Sequence, residues 1–217
     1  MNRMLPCLLG LLVFVALPVR AEPRELGVDL GSGSLRVMTQ SASRLTGLDN
    51  YAGAWLHAHS EVVPNTEIGV GWWHPTAATD GLRQWSGQAA VIDVRARYPL
   101  ASWLQPYGRA GLGALWQSLE LSSTNAGHLT AAQVLPLGSA ALGCDLVLPR
   151  SLLGTPGGRM LFNIGLTFEV GWLQTLTKQW VADSDRGSSV KLAQSSVDLG
   201  SATLAGVWSR VALAVRF

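Results

Sequence analysis

The chain has 217 residues, of which 16 are basic, 14 are acidic and 48% are hydrophobic. A formal net charge of +2 without a basic stripe gives no indication of nucleic-acid binding. The length suits a single domain preceded by a short leader.

The first 21 residues have the pattern of a secretory signal peptide. A basic start at Arg3 precedes an apolar run of about ten residues, which is too short to span a bilayer as a helix. Val19 and Ala21 supply the small side chains of a cleavage site, so we predict a signal peptide over 1–21 and one domain over 22–217. That domain is formally neutral, and its single cysteine, Cys144, excludes an intramolecular disulfide.

Beyond residue 21 the dominant pattern is alternation of apolar and polar residues, with no sustained helical period. Successive side chains of a strand point to opposite faces, so each alternating run is typical of a strand with one apolar wall. The clearest run extends from Phe162 to Trp172, and the last ends on Phe217. Eight strands are predicted, over 25–33, 51–62, 66–74, 89–98, 107–118, 130–148, 160–173 and 205–217.

The predicted connections alternate in length. Those at 63–65, 99–106 and 149–158 are short or contain prolines, whereas those at 42–50, 75–88, 119–129 and 174–202 are longer and more polar. Short periplasmic turns on one rim and long extracellular loops on the other are typical of outer-membrane barrels. An even number of strands then places both termini on the periplasmic side.

Three observations indicate that the apolar wall faces lipid, and they disfavour a soluble barrel of the lipocalin kind. Lysine, common on solvated strands, is confined to Lys178 and Lys191 in the last predicted loop. Aromatic residues of the apolar wall lie at strand ends, as two bilayer interfaces favour: Trp72, Trp116 and Trp172 on the loop side, Tyr98, Phe162 and Phe217 on the turn side.

The third observation is that the polar wall carries both signs of charge. Arginine pairs well with carboxylates in a closed interior, where an unpaired charge is costly. The acidic members are Glu61, Glu67, Asp93, Asp145 and Glu169, and the basic members are Arg95, Arg97, Arg109, Arg210 and Arg216.

Segment 106–114, Pro-Tyr-Gly-Arg-Ala-Gly-Leu-Gly-Ala, resembles the glycine-rich strand of small bacterial outer-membrane β-barrel proteins, the OmpA/OmpX/opacity-like group. The aromatic carboxy-terminus, Phe217, resembles the same group. The resemblance implies an all-β, eight-stranded antiparallel up-and-down transmembrane barrel in a Gram-negative outer membrane. It also implies recognition of Phe217 by the barrel-insertion machinery. The expected surroundings are outer-membrane lipid and lipopolysaccharide, and the expected state is a monomer.

His57 and His59, with Glu61 beyond, lie on one strand face and form an alternating set that could hold a metal. Two further ligands would have to come from neighbouring strands, and the sequence identifies none. The simpler interpretation is a pair of lumen histidines hydrogen-bonded to carboxylates, so no metal site is predicted.

The remaining candidate residues do not predict a catalytic or binding site. His74 and Ser118 share the lipid-facing upper rim, but they lie on non-neighbouring strands and no acidic residue of that face completes a triad. Asp183 and Asp185 are interpreted as a solvated loop tip, and Cys144 as a small lipid-facing side chain. We therefore predict no catalytic, cofactor-binding or metal-binding residue.

The favoured function is a non-enzymatic envelope protein, with the barrel as an anchor and the extracellular loops as the contact region. An eight-stranded barrel has an interior only wide enough for its own side chains. A narrow or gated pore is the alternative, since glycines at 69, 71, 111, 113, 165 and 171 thin the interior wall. A lipid-A-modifying barrel enzyme is the third hypothesis.

Overall fold

The structure, a computed structural model, describes residues 25–75, 78–79, 83–123, 127–148, 162–184 and 196–217. The predicted signal peptide and the predicted connection at 149–158 lie outside these residues. Within them there are eleven strands and one helix. In chain order they are β1 Leu26–Val37, α1 Gln40–Thr46, β2 Asn50–Val63, β3 Thr66–Pro75, β4 Ala78–Thr79, β5 Arg83–Arg97, β6 Leu104–Ser123, β7 Gly127–Val147, β8 Asn163–Thr175, β9 Lys178–Ser184, β10 Ser196–Ala202 and β11 Ala205–Arg216.

Eight of these strands close into an antiparallel barrel, as the alternation predicts. The ring runs β1–β2–β3–β5–β6–β7–β8–β11, and β11 returns to pair with β1. Starting at Leu30, the residues paired across β11 and β8 lead to Leu146 of β7. In the opposite direction around the ring, the residues paired across β2, β3, β5 and β6 lead to Pro136 of the same strand. This stagger of ten residues tilts the strands, which closure of a barrel requires.

The two rims of the barrel differ. At the rim that we call the terminal rim, Phe217 exchanges backbone hydrogen bonds with Leu26, and β2 turns into β3 through Pro64 and Asn65. Asn65 has a φ of 62°, a left-handed conformation that asparagine tolerates well. The opposite rim, the loop rim, carries the long connections. No helix in the described ranges is long and apolar enough to cross a membrane.

The outward face of the barrel is apolar, as predicted. Leu112 and Leu142 each leave 75% of their surface exposed, although large aliphatic side chains are normally buried in a soluble protein. The aromatic residues predicted at the strand ends also point outward. The exposed apolar band consists of Leu26, Leu30, Ile68, Ile92, Val94, Leu112, Val134, Leu142, Leu166, Phe168, Val170, Val207, Val211 and Leu213.

The prediction of long loops is wrong in all four places, and 75–88 contains β4 and the first six residues of β5. Helix α1 lies in the 42–50 connection, and β6 and β7 extend through most of 119–129. The 174–202 interval contains β9 and β10, which form a hairpin against the loop end of β7. The reason is that the apolar residues of a strand move from its outward face in the barrel to its inward face in the cap. In β6, Leu112 points outward, whereas Leu115 and Leu119 point inward and are buried.

Above the barrel, α1, the hairpin β9–β10 and the loop-side ends of β5, β6 and β7 form what we call the cap. Its interior is apolar, with Trp85, Leu119 and Ala182 fully buried and Trp180 nearly so. Outward positions of the same strands, such as Gln84 and Glu120, are exposed and polar. The polarity of the cap is therefore that of a water-soluble domain, the reverse of the barrel below it.

We predict that Leu166→Arg destabilises the folded barrel by about 2–4 kcal/mol, because Leu166 lies mid-strand in the outward apolar band. Met38→Arg is the matched control, since Met38 is also exposed but lies beyond the loop end of β1. Urea titration in lipid vesicles measures both. Equal stabilities of the two variants would contradict the lipid-facing assignment of this wall.

Candidate functional site

The lumen next to the terminal rim is filled by a set of charged side chains that we call the lumen network. All of them come from inward positions of the barrel strands, and their side chains are at most 7% exposed. In the described lumen the members are Asp29, His57, His59, Glu67, Asp93, Arg95, Arg97, Arg109, Asp145, Glu169, Arg210 and Arg216. The sequence places every one of them on the polar wall, and it pairs the arginines with carboxylates, which the structure confirms.

Several carboxylates of the lumen network each pair with two arginines, and Glu169 and Asp145 are two of them. Glu169 forms an ion pair with Arg109 Nε at 2.6 Å, accepts a hydrogen bond from Arg210 Nε at 2.5 Å, and accepts another from the Tyr107 hydroxyl at 3.0 Å. Asp145 binds the guanidinium groups of Arg95 and Arg216. These two shared carboxylates connect five strands, β5, β6, β7, β8 and β11.

The two histidines lie between carboxylates, as the simpler interpretation predicts. His57 Nε2 is 3.1 Å from Asp93, and its Nδ1 is 3.4 Å from Asp29. His59 Nδ1 is 3.0 Å from Glu67, and its Nε2 is 3.5 Å from Asp29. Asp29 therefore joins the two rings, a contact that the sequence analysis missed because it depends on the pairing of β1 with β2.

Two glycines make room for these rings. A Cβ added to Gly27 would lie 2.1 Å from the His59 ring, and one added to Gly69 would lie 2.4 Å from His57 Nε2. Both positions face inward on strands that neighbour β2. The glycines that seemed to thin the wall thus give space to large side chains from the adjacent strands.

An aromatic layer separates the lumen network from the cap. Trp55 and Trp208, which lie on the two strands that flank β1, stack inside the lumen with ring centroids 5.3 Å apart and planes 7° from parallel. The Arg109 guanidinium lies 5.0 Å from the Trp208 ring, and that of Arg210 lies 5.1 Å from the Trp55 ring. Cation–π contacts of this kind let charged groups adjoin an apolar region. The charged half of the lumen ends at this layer.

The cap closes the loop rim through packed aromatic and aliphatic side chains. The Tyr51 ring lies 4.3 Å from that of Trp85, and the Tyr51 hydroxyl donates to Thr46 of α1. Trp85 Nε1 donates to Gln117 at 3.1 Å. Buried Leu115, Leu135 and Leu137 lie in the same cluster, so the lumen passes from a charged half into an apolar one.

The other candidate residues of the sequence analysis do not come together into a site. His74 stacks on outward-facing Trp72, whereas the Ser118 hydroxyl hydrogen-bonds Ser86 at 2.7 Å; β5 runs between their strands. β6 continues past Ser118 and presents Glu120 outward, but no hydrogen bond or ion pair joins Glu120 to His74 or Ser118 among the described residues. Cys144 faces outward, half-buried, on β7, and Asp185 lies outside the described residues.

No protein-family model matches this sequence, and no curated protein does. A major outer membrane protein from Thermus thermophilus is 14% identical, and the alignment covers 90% of this chain and 100% of that one, with a TM-score of 0.50. OprG from Pseudomonas aeruginosa is 11% identical over 89% of this chain and 95% of its own, with a TM-score of 0.48. Ail from Yersinia pestis is 14% identical over 89% and 98%, with a TM-score of 0.46. The Thermus protein shows that this barrel has the fold of a known outer-membrane protein.

We predict that Glu169→Gln destabilises the barrel by about 3–5 kcal/mol, because it leaves Arg109 and Arg210 buried without their shared carboxylate. Glu120→Gln is the control, since it removes the same charge from the exposed face of β6. Urea midpoints in vesicles compare the two. If both variants unfold at the wild-type midpoint, the lumen is hydrated enough to screen its charges.

Proposed function

We propose that the protein is an integral outer-membrane barrel that is monomeric and non-enzymatic, with its termini in the periplasm and its cap outside the cell. In this role the barrel is an anchor, and the cap is the surface through which the protein supports the envelope or contacts other molecules. One observation carries the proposal: a closed, side-chain-filled barrel with an apolar exterior bears an ordered cap whose exterior is polar.

Membrane insertion is supported by both the backbone and the side chains. A closed ring of paired strands satisfies backbone hydrogen-bonding groups that hydrocarbon cannot solvate. The exposed aliphatic band lies between outward aromatic residues, including Trp116 and Trp172 on the loop side and Tyr98 on the terminal side. Outer-membrane lipid, including lipopolysaccharide, is the expected surrounding of such a band.

A pore is less well supported than an anchor. His57 and Asp93 occupy the space left by Gly69, and Trp208 lies against Gly171. The stacked Trp55 and Trp208 occupy part of the lumen in front of β1, and the cap core lies above them. An ion passing through would have to displace both buried charges and buried aromatic rings.

The enzyme hypothesis has even less support. Among the described residues His74 and Ser118, the pair considered for acyl chemistry, do not contact each other, and Ser118 is hydrogen-bonded to another serine. A serine nucleophile needs a base within hydrogen-bond reach. The polar exterior of the cap is then the surface left for function.

We predict that the refolded protein shows no steady conductance in a planar bilayer, because its own side chains fill the lumen. Heat-modifiable migration on a gel verifies that the inserted chain is folded. Steady, uniform current steps from folded wild-type protein would favour the pore over the anchor.

We predict that Trp180→Ala loosens the cap while the barrel stays assembled, because Trp180 is buried in the cap core and not in the barrel. Trypsin added to intact cells should then cleave the variant after exposed Lys178 faster than the wild type. Mass spectrometry identifies the cut. If cleavage requires permeabilised cells, the cap faces the periplasm and the proposed orientation is wrong.

Phe217→Ala, which keeps the two backbone hydrogen bonds to Leu26, should reduce the yield of assembled barrel in cells without changing refolding in vitro. The aromatic ring is exposed, 6.4 Å from that of Phe162, so its loss removes little packing. Phe162→Ala is the control for that packing. Normal assembly of Phe217→Ala in cells would exclude the aromatic ring as a signal for the insertion machinery.

A further inference from the structure

Asp29, His57 and His59 form a cluster in the lumen that the anchor function does not require. Each offers a ligand atom, and the three atoms lie within 4.8 Å of one another. His57 and His59 are alternate residues of β2, so both point inward, and Asp29 is paired with His57 across the β1–β2 ladder. All three side chains are buried.

The spacing of the ligand atoms fits a small divalent ion. His57 Nδ1 lies 3.4 Å from one oxygen of Asp29, and His59 Nε2 lies 3.5 Å from the other. Two donors at bond lengths of about 2.1 Å and a tetrahedral angle are roughly 3.4 Å apart. Asp29 Oδ1 and His59 Nε2 are also buried without a hydrogen-bond partner, so this contact is not already used as one.

The second nitrogen of each ring faces a further carboxylate. His57 Nε2 lies 3.1 Å from Asp93 in hydrogen-bond geometry, and His59 Nδ1 lies 3.0 Å from Glu67. A metal-bound histidine usually donates its other N–H to a carboxylate, which fixes the tautomer and leaves the first nitrogen free to bind the metal. His57 has this arrangement through Asp93, and Glu67 stands at a similar distance from His59 without hydrogen-bond alignment. The other nitrogen of each ring faces Asp29, and His57 Nδ1 is within hydrogen-bond reach of Asp29 Oδ2 at 3.4 Å.

The described lumen as a whole, including its terminal rim, has two more carboxylates than guanidinium groups. Among the described lumen residues, five guanidinium groups face seven carboxylates: the five buried ones of the lumen network and half-buried Glu25 and Glu61 at the terminal rim. If each histidine is neutral and donates to its outer carboxylate, two nitrogen lone pairs face the Asp29 oxygens. One divalent cation between them removes both the charge difference and the repulsion.

Two arginines also approach Asp29, Arg95 at 3.9 Å and Arg210 at 3.5 Å. Each is held more closely by another carboxylate, Arg95 by Asp145 and Arg210 by Glu169. Their charges are therefore compensated within the lumen network, and they do not replace a cation between Asp29 and the two rings.

We propose that Asp29, His57 and His59 bind one divalent transition-metal ion of the zinc class as a structural site. His57 Nδ1, His59 Nε2 and the two Asp29 oxygens supply four donors, and Asp93 and Glu67 orient the rings. The ion joins β1 to β2 inside the lumen. Because the site is buried, the ion enters while the barrel folds.

The test uses the full chain, denatured with a chelator and refolded with Co²⁺ or Zn²⁺ after the chelator is removed. Wild-type protein should retain about one equivalent of metal by elemental analysis, and the Co²⁺ form should show the visible bands of a four-coordinate site. His57→Gln and His59→Gln should lose it. His74→Gln should retain it, because His74 faces outward.

Asp93→Asn should weaken metal binding about 10–100-fold while leaving the three ligands in place. Folded wild-type protein that retains no metal would overturn the proposal, whatever the variants do. So would ¹⁵N spectra of the wild type that show both rings as imidazolium, since two protons would then supply the missing charge. Loss of metal in His74→Gln would also overturn it.

Discussion

The hydrogen-bonded ring of strands determines the rest of this structure. β11 pairs with β1 on one side and with β8 on the other, so the barrel has no free edge. In hydrocarbon every backbone donor and acceptor must be paired within the chain, and the ring meets that requirement. Closure also fixes a narrow interior, and each strand must therefore send every second side chain into a small, enclosed space.

That enclosed space explains the contents of the lumen. An isolated charge would be costly there, so carboxylates such as Glu169 and Asp145 are shared between two arginines each. The guanidinium groups nearest the loop rim lie against the faces of Trp55 and Trp208, beyond which the interior is aliphatic and aromatic. From the terminal rim to the loop rim, the lumen is therefore lined first by charged, then by aromatic and finally by apolar side chains.

The sequence predicts the barrel well because alternation is strongest where lipid lies on one side and charge on the other. The run from Phe162 to Trp172 is assigned to the correct faces throughout, within two or three residues of the observed ends of β8. The same reasoning ends β6 at Ser118, five residues early, because the apolar positions move from the outward to the inward face near Ala114. Alternation with an outward apolar face therefore predicts the lipid-facing part of a strand but not its continuation into the cap.

The misses in the site have a different cause. His57 and His59 are recognisable as a pair because they are close in the sequence, but Asp29 is 28 residues away from His57. Only the register of β1 against β2 brings it between the rings, and alternation leaves shifts of two residues open because they keep every side chain on the same face. The hairpin β9–β10 was missed for the same reason as the end of β6. The buried residues of the hairpin, Trp180 and Ala182, belong to the cap and not to the lipid-facing wall.

The cap also limits where a contact surface can be. Its inward side chains pack against one another, and helix α1 is tied to the barrel rim by the Tyr51 hydroxyl and by Thr39, which donates to the Thr203 carbonyl at 2.5 Å. A surface built on such a core is ordered before any partner arrives, so less conformational entropy is lost on binding than with flexible loops. The same continuous strands, β5, β6 and β7, are therefore apolar outside in the barrel, the proposed anchor, and polar outside in the cap, the proposed contact surface.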